Sequence, residues 1–196
     1  MKALLISDHA KWCALMMNGK KKVEVRKGTA LYKAIQKLIN EYGFADIYVY
    51  CCKINKKHYH LIESIDTDTG ETGYEIDYYI GSGDYLDYCY EGKVAFKFRC
   101  YKVEKYTLKM IKGGLYFSKS GLIDFPNEEA QLDNFELLDY AGEKLGTKLY
   151  AIHISDLKIF DKPKELSEFI QTKRKNYEEP NVKRPPQSWC YVESEN

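Results

Sequence analysis

The run Gly19-Lys20-Lys21-Lys22-Val23-Glu24-Val25-Arg26-Lys27 holds the residues best suited to chemistry in this chain. Lys21, Arg26 and Lys27 bring cations for phosphate or carbonyl oxygens, and Arg26 adds a planar fork of N–H donors. Glu24 lies among them, where a carboxylate holds a guanidinium in place or accepts from a base edge. An ordinary ion pair on one strand face accounts for Glu24 and Arg26 equally well. Trp12 and Trp189 are candidates for stacking on an unpaired base, and simple burial against the body of the fold is the competing account.

The elements that must position these residues follow from periodicity. Met1 to Asp8 reads as a first strand, and Ser7 or Asp8 is placed to cap a helix that runs to Asn18 with Ala10, Cys13, Met16 and Met17 on its apolar face. Lys22 to Arg26 alternates, so Val23 and Val25 share one face while Lys22, Glu24 and Arg26 share the other, which must look at water, a partner or a cleft. Leu31, Ala34, Ile35, Leu38, Ile39 and Tyr42 repeat at helical spacing, and Gly43 closes that helix. Asp46 to Cys52 is a buried strand, and Lys93 to Tyr106 a long half-buried one with Val94, Phe96, Phe98 and Cys100 on one side.

Further on, a helix is expected over Leu132 to Gly142, with Asp133 or Asn127 near its start and Phe135, Leu137 and Leu138 among its apolar residues. Lys148 to Ile154 returns to strand and continues through Ser155 to Phe160 after a kink. Gln171 to Pro186, with Lys173-Arg174-Lys175 and Lys183-Arg184, reads as an exposed loop, and 187–192 as a final strand that docks back on the body. No element is read between 107 and 131.

Residues 53–92 differ in kind. Short Tyr-rich pieces, Tyr74 to Tyr79 and Tyr85 to Tyr90, are broken by Gly70, Gly73, Gly81 and Gly83, the pattern of a β-meander or a long excursion inserted into the fold. Nine acidic residues and no Lys or Arg fall between Glu63 and Glu91, whereas the rest of the chain carries 30 basic and 20 acidic residues, a balance of +10 behind a net charge of +1. A basic body is the footprint of a polyanion binder, and neutralisation by the acidic insert is the alternative. The insert, residues 63–91, is also a candidate docking surface for a basic protein partner, since tyrosine gives rigid amphipathic contact area.

At 196 residues, with 44% apolar and 30% charged residues, the composition is that of a globular protein with a real core, read as a single domain over 1–196. The first apolar run is too short for a signal-peptide core or a membrane span. Cys13, Cys51, Cys52, Cys89, Cys100 and Cys190 form no C-x-x-C pair, which points to buried thiols in a reducing, cytoplasmic setting with no zinc site, and His9, His58, His60 and His153 do not change that. No cofactor is implied.

The pattern Gly-x-Lys-x-apolar-x-apolar-Arg over Gly19 to Arg26, after a strand and a short helix, resembles the signature of the ASCH superfamily, which shares the PUA-like barrel. Tyr150 to Phe169 and Arg184 to Val192 look like the closing part of ASCH-domain proteins of bacteria and their phages. The resemblance covers roughly 1–52, 93–105 and 148–192, and implies an α+β fold: a mixed β-barrel flanked by short helices, here with a Tyr-rich acidic β insert. It implies RNA or nucleotide binding through a basic cleft. Some relatives are amidohydrolases that deacetylate N4-acetylcytidine with a Lys, a Thr and a Glu. That Lys falls on Lys21, but the Thr falls on Glu24, and a carboxylate does not replace a hydroxyl in attack on an amide. Other relatives cut single-stranded RNA, which asks for a general base and a cationic stabiliser; Glu24 or His153 with Lys21 would supply them, making Lys21 and Glu24 the candidate catalytic pair. His153, between Ile152 and Ile154, also fits a structural strand histidine.

Overall fold

A computed structural model of the chain describes residues 1–54, 59–78, 90–172 and 181–194. In chain order the elements are β1 (Lys2–His9), α1 (Ala10–Met17), β2 (Val23–Arg26), α2 (Thr29–Tyr42), β3 (Ala45–Cys52), β4 (Tyr59–Ile65), β5 (Thr72–Tyr78), β6 (Val94–Cys100), β7 (Val103–Ile111), β8 (Gly114–Lys119), β9 (Leu122–Ile123), α3 (Asn127–Ala130), α4 (Asn134–Ala141), β10 (Lys148–His153), β11 (Ser155–Lys164) and β12 (Trp189–Glu193). The α+β class expected from the sequence is present. The described strands form two five-stranded sheets and a two-stranded hairpin, and neither large sheet closes on itself among the described residues. The chain divides into two compact units, the described residues of Met1–Gly19, Asp46–Arg99 and Asp156–Asn196 in one and Lys20–Ala45 with Cys100–Ser155 in the other.

The first unit is built on the sheet β11-β6-β3-β1-β12, with β1 parallel to β3 and antiparallel to β12. The C-terminal strand thus docks as expected, with Leu5 opposite Cys190. Ala3, Leu5, Tyr48, Tyr50, Val94, Phe160, Phe169, Val182 and Val192 form one apolar cluster. Val182 belongs to the stretch expected to be an exposed loop, and it is buried instead; residues 173–180 of that stretch, Lys173 to Lys175 among them, fall outside the described residues. Ser7 and Asp8 do not cap α1, because both are still in β1, opposite Tyr50 and Cys51. The Asp8 carboxylate instead accepts the His9 N–H at 2.8 Å, and α1 starts with no side-chain cap. Its expected apolar face is buried.

The described part of the 53–92 insert is the antiparallel hairpin β4–β5, turned through Asp66, whose carboxylate accepts the N–H groups of Asp68 and Thr69 at 2.9 Å each. Asn18, at the end of α1, clamps β5: its Nδ2 donates to the Tyr74 carbonyl and its Oδ1 accepts the Tyr74 N–H, both at 2.7 Å. Glu91 accepts the Leu61 N–H at 3.0 Å and contacts His60, while Tyr90 donates to Glu63 at 3.2 Å. Three carboxylates of the acidic insert, Glu63, Asp66 and Glu91, are therefore used to hold the insert together. The Tyr85–Tyr90 piece lies outside the described residues except for Tyr90, as do His58 and Cys89.

The second unit is built on the sheet β2-β10-β7-β8-β9. The strand expected over 93–106 is two strands, β6 and β7, which belong to different sheets, with the break at Tyr101-Lys102. Alternation continues in the residues on either side of that break, which is why periodicity alone runs through it. The unassigned stretch after 106 is a meander joined by two two-residue turns. Lys112-Gly113 (φ 48° and 80°) links Ile111 to its partner Gly114, and Ser120-Gly121 (φ 58° and 89°) links Lys119 to Leu122. Both central residues at positive φ define a type I′ hairpin turn, whose twist matches that of the strands and which favours Gly at the second position. The helix at 132–142 is α4, with Asp133 as N-cap in a reciprocal capping box with Glu136 and Gly142 in the left-handed conformation at its end. Leu137 is buried, but Phe135 is 83% exposed, so it takes no part in the core.

Antiparallel register sorts the sheet's side chains. One face carries Val23, Val25, Tyr106, Leu108, Phe117, Leu149 and Ala151, packed with Ala130 and Leu137 of α3 and α4. The other carries Glu24 and Arg26 of β2, Tyr150 and Ile152 of β10, Lys105, Thr107 and Lys109 of β7, and Ser118 of β8. Tyr32 of α2 stacks on Tyr150 with ring centroids 4.5 Å apart.

Candidate ligand-binding site

The sequence places Lys21 just before β2 and Glu24 and Arg26 within it, and the fold brings all three together. Glu24 sits opposite Ile152, and Arg26 opposite Tyr150. The Lys22 N–H donates to the Glu129 carbonyl at 2.7 Å and its own carbonyl accepts from Ile154, which fixes the entry to the strand. Lys21 is 2% exposed; its Nζ donates to the Ala130 carbonyl at 2.7 Å and lies 3.6 Å from Glu24. Ala130 ends α3, where a short helix leaves carbonyls without intrahelical donors, so the ammonium satisfies one of them. Glu24 is 4% exposed, and its other oxygen meets Arg26 Nε at 2.6 Å. A single buried carboxylate thus holds two cations. Of the surroundings that alternation left open for this face, open water is excluded for Glu24 by its burial.

The remaining candidates have partners of their own. Lys27 is exposed; its Nζ donates to the Tyr140 carbonyl at 2.6 Å and stands 4.6 Å from the centre of the Tyr140 ring. Trp12 and Trp189 are half-buried and belong to the other unit, Trp12 with the Lys11 ammonium 4.5 Å from its ring centre and Trp189 edge-to-face with Tyr191 at 5.1 Å.

His153 has a specific partner: its Nε2 lies 2.8 Å from Glu104. Glu104 also meets Lys102 at 2.8 Å and Lys119 at 2.5 Å. Burial alone would raise the Glu104 carboxyl, but hydrogen bonds from Lys102, Lys119 and His153 outweigh it and hold the group down at about 2. Glu104 and Lys119 escaped the sequence reading. The signal for Glu104 was the alternation of Val103 to Lys109, legible only as far as Tyr106, and that for Lys119 was the hairpin turn Lys112-Gly113 that brings β8 back along β7. Cys100, beside this network, is pushed up to about 12 by desolvation, which removes it as a thiolate nucleophile.

Among the described residues no cluster of His, Cys, Asp and Glu has the makings of a metal site, and no helix is long and apolar enough to cross a membrane. No protein-family model matches the chain, and no curated protein matches it. Among solved structures the chain is similar to the crystal structure of ASCH from Zymomonas mobilis, at 15% identity over 97% of this chain and 87% of that one, with a TM-score of 0.49.

Proposed function

We propose that this is an ASCH-type, PUA-like protein that binds RNA or a nucleotide, with Arg26 as the principal contact. The carrying observation is the Glu24–Arg26 ion pair, in which a buried carboxylate 2.6 Å from Nε holds the guanidinium electrostatically on a strand. A fixed planar donor loses little side-chain entropy on meeting a phosphate or a base edge. Lys21, committed to the Ala130 carbonyl, holds the oxygen of Glu24 that Arg26 does not use. Lys27 adds positive charge, and Trp12 and Trp189 are the stacking candidates. The same commitments favour binding over hydrolysis of RNA or an N-acylated nucleoside, because Lys21 and Glu24 already satisfy one another. The internal use of Glu63 and Glu91 favours a packed extension over a docking surface at 63–91. A cytoplasmic protein of bacteria or their phages fits this reading.

The test is fluorescence anisotropy with a labelled single-stranded RNA at low and at physiological salt, with products resolved on a gel in parallel. Binding that falls with salt and weakens about tenfold in Arg26→Ala is expected. Equal affinity in that variant, or no binding by the parent, rejects the proposal, and cleaved RNA that disappears in Glu24→Gln moves it to hydrolysis.

A further inference from the structure

A groove of about 380 Å³ lies in the second unit where β7 and β8 separate past their last pair, lined by Tyr32, Glu104, Lys105, Thr107, Lys109, Ser118, Lys119 and Ser120 among others. Two of its polar residues, Thr107 of β7 and Ser118 of β8, stand opposite one another in register. Lys105 and Lys109 flank Thr107 on the same face by the two-residue repeat of a strand. Both are exposed, and among the described residues neither meets a carboxylate within ion-pair distance. The one acidic wall residue, Glu104, is already matched by Lys102, Lys119 and His153.

Two hydroxyls show that the groove is built for an acceptor. Ser118 is 2% exposed, and its Oγ is buried with no hydrogen-bond partner among the described residues. Ser118 borders the groove, and a buried hydroxyl without a partner is unfavourable, so it gains when a ligand oxygen displaces its neighbours and reaches it. Tyr32 Oη accepts from Gln36 Nε2 at 2.6 Å, which leaves its own proton to donate, and its ring is fixed by the stack on Tyr150.

We propose that this groove is a phosphate-binding site, in which Lys105 and Lys109 supply the charge and Ser118 and Tyr32 donate hydrogen bonds to the phosphate oxygens. A phosphate has the charge to meet two ammonium groups and enough acceptor oxygens to use both hydroxyls. The inference rests on the groove itself and does not need Arg26 to bind anything. The phosphate arrives either as the phosphodiester of a single strand or as the terminal phosphate of a nucleotide.

The experiment is an amide-resonance titration of the whole protein with two probes, sodium pyrophosphate and a single-stranded oligouridylate. Saturable shifts at Thr107, Lys109, Ser118 and Ser120 are expected. Shifts with pyrophosphate alone assign a terminal phosphate; shifts with the oligonucleotide identify the phosphodiester. In the double variant Lys105→Ala/Lys109→Ala, whose altered side chains are exposed, apparent affinity should fall at least tenfold without loss of the native spectrum. Ser118→Ala should lower it about threefold. Absence of shifts with both probes, or unchanged affinity in the double variant, overturns the site. Running the same titration in Arg26→Ala separates the two proposals, since the groove's shifts persist there if the groove is right and the Arg26 reading is wrong.

Discussion

Glu24 and Glu104 are carboxylates on adjacent parts of one sheet that solve the same problem in opposite ways. Glu24 is nearly sealed from solvent, with Lys21 and Arg26 on either side and Lys21 itself buried. Glu104 gathers Lys102, Lys119 and His153 from the opposite face of the sheet, and both lysines are open to water. The first cluster has its charges fixed by burial, so taking away one member strands the others in a medium that does not solvate them. The second keeps partners that water can replace, so it is cheaper to disrupt and more responsive to pH.

Removing the Glu24 charge tests that contrast most severely. Glu24→Ala leaves the buried Lys21 without its carboxylate and is expected to cost about 3–5 kcal/mol, read by chemical denaturation. A loss below about 1 kcal/mol would place Glu24 among the ordinary surface pairs. Glu104→Gln should cost less, about 2 kcal/mol, in keeping with the loss of charge-assisted hydrogen bonds.

Acid titration sharpens the comparison. Because the folded Glu104 carboxyl sits at about 2, below the usual 4.5, its contribution is complete above 4.5 and is lost as the pH falls from there toward 2. The parent should therefore lose stability over that window more steeply than Glu104→Gln, as measured by denaturant midpoints at successive pH values. Parallel curves would show that Glu104 does not titrate against its partners. Smaller effects belong to the helix beneath this sheet: Asp133→Ala removes the N-cap of α4 and should cost about 1 kcal/mol, whereas the exposed Phe135 should tolerate Ser within about 0.5 kcal/mol. A thermal melt of each variant reads both.

The legible parts of the fold were those governed by local rules. The repeat from Leu31 to Tyr42 with Gly43 at its end gave α2, and Phe135, Leu137 and Leu138 following Asp133 gave α4, because helical period and end groups are set within a few residues. The break between β6 and β7 was not legible. Alternating side chains serve either sheet, and only the choice of partner strand decides where one ends. The same limit hid the meander after Tyr106, even though Lys112-Gly113 and Ser120-Gly121 carried its turn signals.

For the candidate site, the sequence by itself determined which cations and carboxylate stand together, since Lys21, Glu24 and Arg26 are neighbours along one short segment. Only the tertiary structure decided that Glu24 is buried, that Lys21 is spent on the Ala130 carbonyl, and that Lys105, Lys109 and Ser118 meet Tyr32 around one groove. Side-chain period fixes which residues share a face of a strand. What covers that face depends on elements far away in the chain, and burial, hydrogen bonding and charge balance follow from that covering.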